Sequence, residues 1–476
     1  MSEQILFWGF FVGGWLAALL MLFIVPFRRH PEAAKDWLLL ILYLPWLGLL
    51  LFFLIGAPKP TPQRRQRDRA VREATTPIAA RLAEHEAARR IRPALAPEAV
   101  TVVELAQRLG RHPVLDGNHI ELLDDYNASL DRLAADIDAA RHHVHLMFYI
   151  FADDGTGRRF ASVLAQAAAR GVRCRVLVDE AGSFSALRTL VPAMRDSGIE
   201  VQVMLPMGHF RGGGRADLRN HRKIAVIDGA VAYTGSQNIV DGELPPGVVS
   251  AELMVRVRGP AVLELQTVFV HDWYLECERL LVDDEIFPQP QLAGDAAAQV
   301  VPSGPLYPTE NVQRLLVSLI HGARRRVVIT TPYLIPDAPL LQAMETAVLR
   351  GVEVFVILSK ISDQPLVILA QQSYYKQLLD AGIGIRLYRD RFLHAKHVTI
   401  DDAIALIGSS NIDIRSFELN EEITLMVYDT ALNQALQRLQ ARYLQHSDTL
   451  TVRDWERRPL YRKALENTAR LFSPLF

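Results

Sequence analysis

The sequence predicts an α/β protein with two α/β sandwich repeats that form a pseudo-twofold pair, preceded by two transmembrane helices. Three observations support this fold class. Two uncharged apolar runs lie near the N-terminus, helical periodicity alternates with short apolar strands in the rest of the chain, and one residue pattern occurs twice, about 170 residues apart. The 476 residues are enough for two or three domains, each with a sizeable core.

The two apolar runs are each long enough to cross a bilayer. No residue is charged over 4–27 or over 37–58, and a spanning helix needs roughly 20 apolar residues. The first run has no basic leading segment and no small-residue cleavage site, which distinguishes it from a cleaved signal peptide. Pro26 and Pro45 favour kinks, so a re-entrant hairpin remains an alternative. We predict a transmembrane hairpin over residues 1–58, with helices at about 4–27 and 37–57.

The segment after the hairpin is basic. Six cations follow the second run, namely Lys59, Arg64, Arg65, Arg67, Arg69 and Arg72. They outnumber the cations of the inter-helix loop, so both termini are expected in the cytoplasm. We predict a juxtamembrane helix and linker over residues 59–100, with the helix broken at Pro77. Its basic stripe could lie on anionic lipid, or the helix could be a solvated spacer.

The remainder of the chain is an internal duplication. Residues 140–147 and 323–330 share a pattern in which a helix end precedes an apolar strand, and Arg-Gly-Val follows at both Gly171 and Gly351. A period near 175 residues indicates a duplicated domain rather than a solenoid. We predict a first domain over 101–287, a connection over 288–310 and a second domain over 311–476.

Each repeat carries His-x-Lys-x4-Asp followed by Gly-Ser-x-Asn. The first copy contains His221, Lys223, Asp228, Ser236 and Asn238, and the second contains His394, Lys396, Asp401, Ser409 and Asn411. Side chains alternate along a strand, so the His and Lys of each copy share one face. A single copy would be weak evidence, but two copies at the same place in a repeat predict two halves of one active site.

This residue set suits substitution at a phosphodiester. One imidazole can attack phosphorus and form a phosphohistidine, while the other protonates the leaving alcohol and then deprotonates the incoming one. The Lys ammonium groups, with the Ser and Asn of each copy as substrate-binding donors, would face the non-bridging oxygens. Asp228 and Asp401 are predicted to hold the tautomer of the histidine in their own motif. The scheme needs no metal and no other cofactor.

The paired motifs resemble the HKD signature of the phospholipase D superfamily. The wider chain is similar to bacterial cardiolipin synthases of the two-membrane-helix type. Beyond the motifs, the similarity lies in the apolar hairpin, Phe148–Phe151, Asn220–Lys223, Thr331–Asp337, Asn411–Asn420 and the tail around Trp455–Pro459. The resemblance implies phospholipase D-like domains and a multi-pass protein of the bacterial inner membrane, with its catalytic domains in the cytoplasm.

The resemblance also implies a reaction and residue roles. The reaction is transphosphatidylation between two phosphatidylglycerol molecules, which yields cardiolipin and glycerol. His221 is the implied nucleophile and His394 the implied acid and base. Glu252 and Glu422 are candidates for orienting the histidines across the interface, although the sequence before Glu252 departs from the Trp-x-Asp pattern of the family.

Three other readings stay open at this point. Water, serine or ethanolamine could replace the second lipid as acceptor, because the motif residues do not determine which acceptor the pocket binds. A nucleic-acid phosphodiesterase is a second reading, but the net charge of −1 lacks the basic footprint of a nucleic-acid binder. A non-catalytic membrane scaffold is the third, and two intact motifs argue against it. The sequence does not indicate the oligomeric state or the acyl-chain preference.

Overall fold

The computed structural model describes residues 2–28, 31–56, 60–84, 97–206, 217–243, 247–307 and 310–471. The glycine-rich loop over 211–215, for which the sequence suggests either an active-site lid or a plain flexible loop, lies outside these residues.

The helices of the described chain are α1 (Ser2–Arg28), α2 (Pro31–Tyr43), α3 (Pro45–Ile55), α4 (Pro62–Glu84), α5 (Pro97–Gly110), α6 (Tyr126–Asp138), α7 (Gly155–Ala169), α8 (Leu190–Asp196), α9 (Ala261–Cys277), α10 (Asn311–Gly322), α11 (Ala338–Leu349), α12 (Pro365–Asp380), α13 (Ile414–Glu418), α14 (Thr430–Gln445), α15 (Val452–Glu456) and α16 (Leu460–Arg470). The strands are β1 (Leu115–Leu123), β2 (His143–Phe148), β3 (Arg173–Asp179), β4 (Glu200–Met204), β5 (Ile224–Ile227), β6 (Val231–Gly235), β7 (Ser250–Ala251), β8 (Met254–Arg258), β9 (Ala296–Ser303), β10 (Arg326–Thr330), β11 (Glu353–Ser359), β12 (Gly384–Tyr388), β13 (Phe392–Leu393), β14 (His397–Ile400), β15 (Ile404–Gly408), β16 (Glu422–Val427) and β17 (Ser447–Leu450).

The N-terminal apolar segment forms α1, α2 and α3, which pack on one another. Within α1, the stretch Phe7–Arg28 is long and apolar enough to cross a membrane, with a mean hydropathy of 2.3; among the described residues no other helix meets that test. The second apolar run differs from the single helix predicted over 37–57. It divides at Leu44, which adopts φ −132° and ψ 70°, because the following Pro45 disfavours helical geometry in the residue before it.

The juxtamembrane helix α4 differs from the prediction in two ways. It continues through Pro77 instead of breaking there. It also packs along α9 of the first repeat, so it is not a free spacer. Arg67, for example, donates to the carbonyl of Leu275 at 2.7 Å and pairs with Glu278. Helix α4 is therefore bound to the first repeat.

One 15-stranded sheet runs through both repeats. The strand order is β17, β12, β11, β10, β14, β15, β16, β9, β1, β8, β6, β5, β2, β3 and β4. The repeats join where β1 pairs antiparallel with β9, with a register shift between Leu115 and Asn118. The buried Asn118 amide fills this irregularity, because it donates to the carbonyls of Leu115 and Ala296 at 2.8 and 3.0 Å. The two repeats therefore share one continuous backbone hydrogen-bond network.

The apolar core lies in three main layers around this sheet. The inner cluster joins both repeats and includes side chains of α9 and α14. The outer clusters contain α6, α7 and α8 on the first repeat and α10, α11 and α12 on the second. Helix α5 packs on α10 and β9 of the second repeat. The predicted bounds instead place most of α5 in the first domain, which begins at residue 101, and place β9 in the connection over 288–310.

The motif aspartates close turns at the far ends of the motif strands. The Asp228 carboxylate accepts the backbone N–H groups of residues 141–143, and Asp401 accepts those of residues 324–326, at 2.8 to 3.0 Å. The prediction that each aspartate holds its own histidine is wrong. Asp228 lies seven positions after His221, beyond the end of β5. A segment of that length spans on the order of 20 Å when it is extended, because a strand rises about 3.3 Å per residue.

Replacing Asp228 with Ala should therefore lower stability rather than remove a catalytic group. Three backbone N–H groups lose their acceptor, and Ala is disfavoured at the φ of 53° found here. We expect a loss on the order of 2 kcal/mol, measured as a lower melting temperature in detergent. Asp131→Ala is the control, because Asp131 forms an exposed surface pair with Arg159 and such pairs contribute little. An unchanged melting temperature with abolished turnover would contradict the structural role of Asp228.

Candidate active site

Two histidine–glutamate pairs cross the interface between the repeats. His221 of the first repeat lies with its Nδ1 2.9 Å from a carboxylate oxygen of Glu422, which belongs to the second repeat. His394 of the second repeat lies 2.6 Å from Glu252 of the first. The structure thus places the candidate orienting glutamates against the histidines, each in the opposite repeat. Neither half contains a complete set.

Short backbone bridges bring each histidine to its glutamate. The N–H of His221 donates to the carbonyl of Glu421 at 2.8 Å, and Glu422 is the next residue. On the other side, β13 pairs with β7, and the N–H of His394 donates to the carbonyl of Ala251 at 2.8 Å, one residue before Glu252. Because these bridges are backbone contacts, they fix the register between the repeats independently of the side chains.

The motif serines support the glutamates. The Ser236 hydroxyl donates to Glu252, and the Ser409 hydroxyl donates to Glu422. Each hydroxyl oxygen also accepts a backbone N–H, which for Ser236 comes from Leu253 at 3.0 Å. The prediction that these serines donate to substrate is corrected, since a hydroxyl has one hydrogen to donate and a buried carboxylate already accepts it.

Hydrogen bonding defines the protonation pattern of both histidines. An ionised carboxylate can only accept, so each Nδ1 carries the proton and each Nε2 keeps its lone pair. Burial lowers the pKa of His221 to about 4, with Glu422 opposing the shift and Lys223 adding to it. Burial also lowers the pKa of His394. Although burial raises the pKa of Glu252, the neighbouring His394 brings it down to about 2. The resting site thus holds neutral imidazoles beside carboxylates.

The two lysines are buried beside their histidines. Lys223 Nζ donates to the carbonyl of His221 at 2.7 Å, and Lys396 Nζ donates to that of His394 at 2.8 Å. Burial lowers the pKa of Lys223 to about 7 and that of Lys396 to about 8. A bound anion would favour the charged form of both lysines, so these groups are suited to a phosphate substrate.

The asparagines and one aromatic ring complete the site. Asn238 uses its side-chain oxygen to accept the N–H of Ile150 at 3.1 Å. Asn411 is almost fully buried on the other side. Tyr149 packs edge-on against His221, with ring centroids 5.0 Å apart, and faces Lys223 Nζ at 5.5 Å. Sequence reasoning gave Tyr149 no role; the available signal was a polar aromatic residue just beyond a buried strand.

Comparison with known proteins agrees with this arrangement. The family described as "Cardiolipin synthase, PLD-like domain" matches residues 133–273 and 316–443, so each repeat is covered once. Among curated proteins, cardiolipin synthase A of Serratia proteamaculans (strain 568) is 36% identical over 479 residues, covering 98% of each chain. Cardiolipin synthase A of Proteus mirabilis (strain HI4320) is 36% identical over 487 residues, covering 99% of each.

A solved structure shares the fold. The phosphatidylserine synthase of Haemophilus influenzae Rd KW20 superimposes with a TM-score of 0.60 at 16% identity, covering 79% of this chain and all of that one. The structural match supports the paired α/β repeats, and the full-length sequence matches go further. With two crossed histidine–glutamate pairs in duplicated phospholipase D-like domains, the chain belongs to the cardiolipin synthase family of the phospholipase D superfamily.

Proposed function

We propose that this protein is a membrane-bound cardiolipin synthase that converts two phosphatidylglycerol molecules into cardiolipin and glycerol. The observation that carries the proposal is the similarity to cardiolipin synthases over almost the whole chain, apolar segment included. The crossed pairs supply two imidazoles with free Nε2 atoms, as a double displacement at phosphorus requires.

In the first step, Nε2 of His221 attacks the phosphorus of one phosphatidylglycerol. His394 takes up a proton on Nε2 when the anionic phosphodiester binds. A P–N bond then forms, the bond to the headgroup glycerol breaks, and His394 gives that proton to the departing oxygen. The anionic carboxylate of Glu252 favours that imidazolium, as Glu422 favours the positive charge on phosphorylated His221. Lys223 and Lys396 balance the charge that develops on the non-bridging oxygens.

In the second step, the headgroup hydroxyl of another phosphatidylglycerol attacks the same phosphorus. Nε2 of His394 accepts the hydroxyl proton, the P–N bond breaks, and both histidines return to their starting states. The NH₂ groups of Asn238 and Asn411 are assigned to the phosphate oxygens. Asp228 and Asp401 contribute through the turns they hold. No step uses a metal or a cofactor.

We also assign the apolar N-terminal segment to the bilayer of the bacterial inner membrane. Its outward surface is apolar, with Phe7, Trp8, Phe27 and Phe53 each at least 60% exposed, which a water-exposed bundle would avoid. In this arrangement α1 spans, and α2 with α3 forms a bent second segment. The larger basic cluster after this segment supports a cytoplasmic location for the catalytic domains.

The acceptor decides between this function and a lipid hydrolase. Purified protein in detergent, with phosphatidylglycerol as the sole lipid, is expected to release glycerol and cardiolipin in equal amounts. His221→Ala serves as the inactive control. Release of phosphatidic acid without cardiolipin would make water the acceptor and contradict the synthase. Competing serine or ethanolamine tests the remaining acceptors, and we expect neither to enter the product.

The pH dependence should report the two buried lysines. Each loses its charge as the pH rises through its pKa, between about 7 and 8 in the free protein, so kcat/KM should fall across that interval. The kcat profile describes the bound complex, where the phosphodiester favours the ammonium, so its fall should occur at higher pH. If Lys223→Arg retains activity, its kcat/KM profile should lack the fall at the lower pH, because a guanidinium stays charged. Coincident kcat and kcat/KM profiles would contradict this assignment.

A further inference from the structure

Behind His221 lies a buried cluster of charges that the reaction scheme does not use. We call it the α4–α9 charge cluster, and it consists of Arg64, Asp68, Arg222, His271, Asp272, Glu276 and Glu421. It draws side chains from the juxtamembrane helix α4, from α9 and from the segments that precede β5 and β16. Four carboxylates and three basic groups are thus removed from water within one contact network.

Arg64 links α4 to the other two parts of this cluster. Its Nη1 lies 2.7 Å from Glu276 of α9, and its Nη2 lies 3.2 Å from Glu421. All three side chains are at most 13% exposed. Among the described residues, Arg64 is the cation that lies within 4.0 Å of both carboxylates. Although burial lowers it, the pKa of Arg64 is raised by these two neighbours, so the guanidinium stays charged.

Glu421 connects Arg64 to the catalytic histidine. Its second carboxylate oxygen accepts the side-chain amide of Asn220 at 3.0 Å. Its backbone carbonyl accepts the N–H of His221 at 2.8 Å, and its backbone N–H donates to Arg219 at 2.9 Å. The next residue, Glu422, holds the imidazole of His221. A shift of Glu421 would therefore move both the backbone and the carboxylate that orient His221.

The other members of the cluster brace the same segment. Arg222 binds the Asp272 carboxylate through Nη1 and donates through Nε to the carbonyl of Glu422 at 2.9 Å. His271 bridges Asp272, at 3.1 Å, and Asp68 of α4, at 2.8 Å. Helix α4 therefore reaches the active-site backbone by two routes, one through Glu421 and one through Asp272.

We propose that α4 is a positioning element of the active site, in which Arg64 holds Glu421 and thereby sets His221 against Glu422. This inference rests on the proposed function, because its test measures the activity proposed there. Without Arg64, the carboxylates of Glu276 and Glu421 face each other with their shared cation missing, which a buried site tolerates poorly. The helix that leaves the bilayer and the catalytic histidine are thus parts of one assembly.

The test compares Arg64→Gln with Arg65→Gln in the full-length protein. Arg65 is the adjacent exposed cation of the same helix, so both variants lose one juxtamembrane charge, but only the first loses the buried contacts. We expect Arg64→Gln to lower kcat at least tenfold with the KM for phosphatidylglycerol within about twofold, and Arg65→Gln to match the wild type. Equal kcat values for the two variants would overturn the proposal, whereas an inactive wild type would instead count against the proposed function.

A second variant separates positioning from charge balance and from poor folding. Arg64→Gln/Glu276→Gln removes one cation and one carboxylate, so the cluster keeps its net charge and folding is favoured. Glu421 retains Arg222 at 3.9 Å but still lacks its contact with Arg64. We expect this variant to melt within a few degrees of the wild type and to keep the low kcat. Recovery of kcat to near the wild-type value would show that Arg64 only balances charge, and the positioning role would be wrong.

Discussion

The hydrogen bond between each motif histidine and a glutamate of the opposite repeat is the contact on which the rest of the structure depends. Nδ1 of His221 is hydrogen-bonded to Glu422, and Nδ1 of His394 is hydrogen-bonded to Glu252. An ionised carboxylate in a buried site is costly unless its lone pairs are satisfied. Here each one also accepts a serine hydroxyl. Each glutamate contacts Nδ1 of its histidine and not Nε2. The arrangement exists only while the two repeats stay in register.

The architecture maintains that register at several levels. Pairing of β1 with β9 makes the two repeats one sheet, and the inner apolar cluster buries α9 and α14 between them. Backbone bridges at Glu421 and Ala251 set the position of each histidine relative to its glutamate. Helix α4 adds a charged contact to the same segment. In the role that we propose for α4, a helix outside the substrate site affects the chemistry through this contact.

The sequence predicted much of this site because the residues of each motif lie close together along the chain. Strand alternation puts the His and Lys of each motif on one face, and duplication indicates that the two copies meet. The role of Asp228 could not be read that way, because the residues that bind it, 141–143, lie some 85 positions away. The contact between Arg64 and Glu421 spans 357 positions, and in sequence Arg64 is one cation among several. The sequence predicted a kink near Pro45, because proline disfavours helical geometry in the residue before it. That one helix ends before Leu44 and another begins at Pro45 is seen only in the structure.

The most direct test of the crossed pairs uses phosphatidyl-p-nitrophenol, whose leaving group departs without protonation. In this reaction the first step needs His221 and its glutamate but not the acid His394. Glu252→Gln should therefore retain a burst of p-nitrophenol and accumulate phosphatidyl on His221, whereas Glu422→Gln should lose the burst. The reverse pattern would exchange the roles of the two histidines. A burst equal to that of the wild type in both variants would contradict the claim that these pairs orient the catalytic groups.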